Sequence, residues 1–137
     1  MPEIAEVETV RNTLKKQILN KRITNINILY EKMIDSDLSE FKKVLSGNKF
    51  IDIKRRGKWL IFVLESNHYL LSHLRMEGKY FIKSDKEEIV KHEHVIFTFK
   101  DHSDLRYHDT RKFGRMILIS KDKLESLRKD WSKRVLV

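Results

Sequence analysis

No cysteine occurs anywhere in the chain, which excludes a disulfide framework and any cysteine-based zinc site within it. No apolar run is long enough to span a bilayer, and the N-terminus lacks the layout of a signal peptide. The expectation is a soluble intracellular protein with no membrane partner. Acidic residues are in deficit: 20 Asp and Glu face 29 Lys and Arg, a formal charge of +9. Such an excess usually answers a polyanion, either nucleic acid or a membrane surface. Glycine and proline are scarce, and no internal repeat or low-complexity linker divides the sequence. At 137 residues it is read as one domain with enough chain for a core of its own.

The single proline is the second residue. If Met1 is removed, the Pro2 nitrogen is a secondary amine rather than an amide. Free α-amino groups titrate near pH ~8, so a neutral, nucleophilic fraction exists at neutral pH. Glu3 adjoins it, and Glu6 and Glu8 follow at helical spacing. That is a nucleophile with an acid/base beside it. Read more plainly, proline and acids simply open a helix and suit its dipole.

That helix is predicted from Glu3 to Asn20, with Val7, Val10, Leu14, Ile18 and Leu19 on one face and Asn20 as its stop. Arg22 to Tyr30 alternates as a strand, and Asp35 to Leu45 reads as a short helix capped by Ser36 or Asp37. From Lys49 the pattern is β: strands at 50–56, 59–64, 69–74, 79–83, 94–99, 105–107 and 115–119, with turns between. A last helix covers 121–128. Short strands at regular spacing predict a β-sandwich or barrel with a helix at each end.

Four stretches could carry chemistry. Lys54-Arg55-Arg56-Gly57-Lys58-Trp59 is either a solvated hairpin or a phosphate clamp with Lys58 presented by the turn. In His73-Leu74-Arg75-Met76-Glu77-Gly78, a long apolar side chain sits at a loop tip, where core packing is poor. His92-Glu93-His94 puts alternate histidines on one strand face, a weak metal signal, with His92 as a phosphate donor the other reading. Arg106 to Gly114 mixes cations with aromatics, which suits phosphates and a base wedge at Phe113, or equally a surface loop with Phe113 folded inward.

Taken together, in this order and spacing, Met1-Pro2-Glu3-Ile4-Ala5-Glu6-Val7-Glu8-Thr9-Val10, Arg55-Arg56-Gly57-Lys58, His73-Leu74-Arg75-Met76-Glu77-Gly78, Lys91-His92-Glu93-His94-Val95 and Arg106 to Gly114 resemble the N-terminal catalytic domain of formamidopyrimidine-DNA glycosylases, from residue 1 to 128. The resemblance implies an α+β, mainly β fold: a two-layered antiparallel β-sandwich flanked by an N-terminal and a C-terminal helix. It implies base-excision repair of oxidised purines by a bifunctional bacterial enzyme, cytoplasmic and nucleoid-associated. Processed Pro2 would attack C1′ and form a Schiff base, Glu3 would be the general acid/base, Lys58 would bind phosphate and assist, and Glu6 would order the pocket. His73, Arg75, Met76, His92, Arg111 and Phe113 would contact DNA, with Met76, Arg111 and Phe113 filling the gap left by an everted base. The implied partner is duplex DNA with oxidised purines or abasic sites, bound by a monomer.

Two departures stand out. Ala5 replaces the family's usual second proline, and alanine is itself a good helix former. Beyond residue 128 the family continues into a helix–two-turn–helix region and a four-cysteine zinc finger. Residues 129–137 read instead as an atypical tail, and no metal or other cofactor is expected within this chain. The alternative reading is a non-catalytic nucleic-acid-binding domain or an inactive remnant of the family.

Overall fold

The computed structural model describes residues 4–126. Pro2, Glu3 and the tail at 129–137 lie outside the described residues. The first helix, α1 (Ile4–Ile18), buries Val7, Leu14 and Ile18, a stripe at seven- and four-residue intervals that lies over two strands of the body. It ends where predicted: Asn20 takes φ +66, a left-handed conformation that asparagine tolerates better than most residues.

The strands are β1 (Ile23–Ile28), β2 (Phe50–Arg56), β3 (Trp59–Leu64), β4 (His68–His73), β5 (Lys79–Ser84), β6 (Glu93–Phe99), β7 (Ser103–His108) and β8 (Arg115–Ser120). They form two antiparallel sheets of four, in the orders β1-β6-β7-β5 and β2-β3-β4-β8. The sheets face one another across a core centred on Phe50. Its ring packs edge-on against Phe97 and Phe99 of the first sheet and tilted against Phe62 of the second, at 5.1 to 6.3 Å between centroids. A smaller cluster of Ile61, Leu71 and Ile119 on the second sheet is covered by Leu124, in the helical turn at 121–126. The predicted sandwich with a helix at each end is therefore present.

Differences are local. The first strand stops at Ile28, short of the expected Tyr30, and a short 3-10 turn follows at Glu31–Met33. The second helix, α2 (Leu38–Leu45), is capped by Asp37, whose Oδ1 accepts the Glu40 N–H at 2.9 Å. Ser36 is drawn elsewhere, accepting the Leu118 N–H at 2.8 Å. Among the described residues, no helix is long and apolar enough to cross a membrane.

Candidate nucleic-acid interface

Antiparallel register brings the candidate residues to one end of the sandwich. In the second sheet Arg56 pairs with Trp59, Trp59 with His73, and His73 with Arg115. In the first sheet His108 pairs with both Lys79 and Glu93. Short connections link these strand ends: the Gly57-Lys58 turn, the 74–78 loop and the 109–114 loop. His92 immediately precedes β6 at the same end.

Gly57, at φ +58, occupies the first central position of the two-residue hairpin, where glycine is favoured. This turn carries Lys58. The hairpin is tied to α1 by Glu8, which accepts from Arg11 (Nε, 3.1 Å) and from Arg55 (Nε, 2.8 Å). The hydrogen bond from Arg11, then that from Arg55, hold the Glu8 carboxyl down at about 2. Arg55 also donates to the Gly57 carbonyl at 3.0 Å. Of the four cations expected as a clamp, Arg55 is thus committed within the protein, and its work is to fix the N-terminal half of α1 against the Lys58 hairpin. The pairing of Glu8 with Arg11 was legible in their three-residue spacing; the tie to Arg55 was not.

His73 closes β4 with its ring edge-on to Trp59, 4.9 Å between centroids. Burial, then the charges of Arg75 and Lys58, lower its pKa to about 4, so the ring is neutral at pH 7. Its Nδ1 accepts the Arg75 N–H at 3.0 Å, which leaves the ring proton on Nε2 as a donor. The Lys58 charge is felt at His73, so turn and strand end share one site. Arg75 is at φ +57, and the loop closes by the Gly78 N–H donating to the Leu74 carbonyl at 2.9 Å. Met76 stands out at 44% exposure. A cavity of about 380 Å³ opens between this loop, β5 and the start of α1, lined by Met76, Glu77, Tyr80 and Glu6 among others. Glu6 and Met76 are therefore brought together, although 70 positions separate them in the chain.

The 109–114 loop is built on the buried Asp109. Its carboxylate accepts from the Arg111, Lys112 and Gly114 N–H groups at 3.1, 3.1 and 2.8 Å and from the Tyr107 hydroxyl at 2.9 Å. Lys112, at φ +60, turns its ammonium back over the Tyr30 ring, 4.8 Å from the centroid. Arg111 is exposed and Phe113 is 50% exposed, which overturns the alternative of Phe113 folded inward.

The histidine pair also needs correction. His92 lies outside β6 at φ +73, while His94 is buried with Nε2 2.7 Å from the Asp109 carbonyl. The two are not alternate residues of one strand face. Sequence reasoning also missed Tyr107 and Asp109. The available signal was an aspartate followed by polar residues and a glycine, which marks a turn with side-chain-to-backbone bonds.

The sequence profile of the formamidopyrimidine-DNA glycosylase N-terminal domain matches residues 1–116. Formamidopyrimidine-DNA glycosylase of Ligilactobacillus salivarius is 51% identical over 119 residues, covering 87% of this chain and 43% of that protein. The Streptococcus pneumoniae R6 enzyme is 48% identical over 126 residues, covering 92% and 46%. A Lactococcus lactis Fpg structure in complex with abasic-site DNA superposes with a TM-score of 0.90 at 40% identity, covering 94% of this chain and 48% of that one. A Lactococcus lactis complex with Fapy-dG DNA gives 0.89, also at 40% identity, covering 93% and 48%. The chain spans about half the length of the relatives it matches.

Proposed function

The chain belongs to the formamidopyrimidine-DNA glycosylase family, and on that footing we propose that it acts in base-excision repair of oxidised purines, as DNA glycosylase and AP lyase. The observation that carries this reading is the convergence at one end of the sandwich. Two large apolar side chains, Met76 and Phe113, stand exposed there beside Lys58, Arg75 and Arg111. Exposed apolar groups set among cations suit a damaged duplex. Everting a base costs a few kcal/mol of stacking, and apolar wedges offset that loss.

The reaction follows from the amine. With Met1 removed, the Pro2 nitrogen lone pair attacks C1′, and the bond from C1′ to the base breaks with its electrons leaving on the base. Opening of the sugar gives an iminium between Pro2 and C1′. That cation acidifies C2′, so loss of a C2′ proton expels the 3′ phosphate, and a second elimination expels the 5′ phosphate. Glu3 moves the protons. Lys58, reaching from its glycine turn, binds the phosphate beside the lesion. The neutral His73 offers its Nε2 proton to a phosphate oxygen, with Arg75 and His92 along the backbone. Glu6 borders the cavity beside Met76 and orders the pocket, while Met76, Arg111 and Phe113 occupy the gap. Residues 1–128 constitute the catalytic domain, acting as a monomer on duplex DNA in the bacterial nucleoid. With no cysteine, these residues do not fit the family's four-cysteine zinc site.

Borohydride trapping on abasic-site DNA is the test. A covalent adduct is expected, lost when Met1 is retained, because an acylated proline nitrogen has no usable lone pair. DNA binding without an adduct from processed protein would refute the enzymatic reading in favour of a binding module.

A further inference from the structure

Met76 and Phe113 are too exposed to be held in place by burial. Their positions must come from the backbones of the loops that carry them. Those loops belong to different connections, β4–β5 and β7–β8, yet they meet at one atom. Tyr107, near the end of β7, is 1% exposed, and its hydroxyl oxygen lies between them. A Cβ on Gly78 or on Gly114 would overlap that oxygen. Neither glycine has a positive φ, so the demand is steric. Tyr107 contributes to it at both, together with the Leu74 backbone at Gly78 and Asp109 Oδ2 at Gly114.

The phenol is anchored in turn. It donates to Asp109 Oδ2 at 2.9 Å, and the same oxygen accepts the Gly114 N–H at 2.8 Å. Asp109 Oδ1 takes the Arg111 and Lys112 N–H groups. The Asp109 backbone N–H donates to the His92 carbonyl at 3.0 Å, which adds the segment before β6. By contrast, Arg115 supports the 109–114 loop alone, donating to the Lys112 and Gly114 carbonyls at 2.8 and 2.7 Å.

We propose that Tyr107 and Asp109 are positioning residues that lock the Met76 loop, the Arg111–Phe113 loop and His92 into one unit, so that three separate segments meet DNA in fixed mutual register. The use of that register rests on the function proposed above, but the coupling is a property of the free protein. It substitutes for the packing that exposed wedge residues lack. A carboxylate with four donors is fully satisfied at no cost in buried unpaired groups.

Amide hydrogen exchange on the 137-residue protein separates coupling from local support. In Tyr107→Phe, the amides of Gly78 and Gly114 are both expected to exchange about tenfold faster, the scale of one lost hydrogen bond to a charged acceptor. Circular dichroism would confirm the retained fold. Faster exchange at 110–114 with 74–78 unchanged would overturn the proposal. Gly78→Ala is the second variant: its Cβ meets the Leu74 backbone of its own loop and the Tyr107 hydroxyl, so exchange should accelerate at 110–114 as well as at 74–78. Acceleration confined to 74–78 would also overturn it. In the DNA arm, the ratio of affinities for a duplex with an abasic-site analogue and an intact duplex is measured. Tyr107→Phe should lower that ratio about tenfold. An unchanged ratio alongside coupled exchange would overturn the register argument. A wild-type protein without preference would instead refute the function proposed above, leaving exchange to decide the coupling.

Discussion

Arg106 offers the sharpest perturbation away from the interface. Its side chain is 1% exposed, and each of its five N–H donors has an acceptor. Nε donates to Asp104 at 3.0 Å, Nη1 to Glu93 and to the Glu88 carbonyl at 3.0 and 3.2 Å, and Nη2 to the Ser84 and Glu87 carbonyls at 3.3 and 2.7 Å. Burial alone would raise the Glu93 pKa, but Lys83, the Val90 N–H and Arg106 outweigh it and the net shift is downward. Arg106→Met keeps the volume and removes the charge, leaving Lys83 to hold Glu93 and Thr98 to hold Asp104. Removing one partner of a buried ionic cluster costs about 3–5 kcal/mol. Unfolding entropy near ~2.1 cal/mol/K per residue gives roughly 0.3 kcal/mol/K for this chain, so Tm should fall by about 10–17 °C. Arg106→Lys should recover only part of this, because an ammonium has three donors and no planar fork. Thermal melts followed by circular dichroism at pH 7 measure both. Limited proteolysis should locate new cleavage in 84–92, the segment whose carbonyls Arg106 holds. A drop in Arg106→Met of under about 3 °C, or a Lys variant equal to wild type, would refute the reasoning.

Glu8→Gln should leave the fold intact, since the two ion pairs it weakens are only part-buried, yet free α1 from the Lys58 hairpin. Trapping on abasic-site DNA should slow about tenfold while melting barely moves, because a small misplacement costs rate before it costs stability; an unchanged trapping rate refutes the role. His73 takes its proton near 6.5 when unfolded and near 4 when folded. Between those values the unfolded state holds more protons, so stability falls as pH drops from about 6.5 towards 4, by roughly 1–3 kcal/mol once solvent screening is allowed for. His73→Asn keeps an acceptor for the Arg75 N–H without titrating, and should flatten that part of the wild-type profile of Tm against pH; an equal slope in both proteins refutes it.

The fold was legible because its signals are local. Short runs of β-branched and aromatic residues between turn signals mark the strands around Phe50, Phe62 and Phe97, and the Val7–Leu14–Ile18 stripe marks α1. What escaped was decided by competition between near-equal partners. Ser36 and Asp37 both suit a helix start, and Asp37 takes the cap because the Leu118 backbone claims Ser36. Tyr30 continues the alternation but falls in the approach to a 3-10 turn, with its N–H 3.3 Å from the His94 carbonyl.

The interface divides the same way. Lys58, Met76 and Phe113 were readable because each is anomalous where it stands: a cation after a turn glycine, large apolar groups in polar loops. Arg55, Asp109 and Tyr107 are ordinary in sequence. They act through partners elsewhere: Arg55 through Glu8, 47 positions away, and Tyr107 through Gly78 as well as Asp109. Motif reading therefore picks out the groups proposed to touch DNA and passes over those proposed to aim them. A contacting residue must be chemically conspicuous in its own loop. An aiming residue needs only the right neighbour, and that neighbour is supplied by the sheet register.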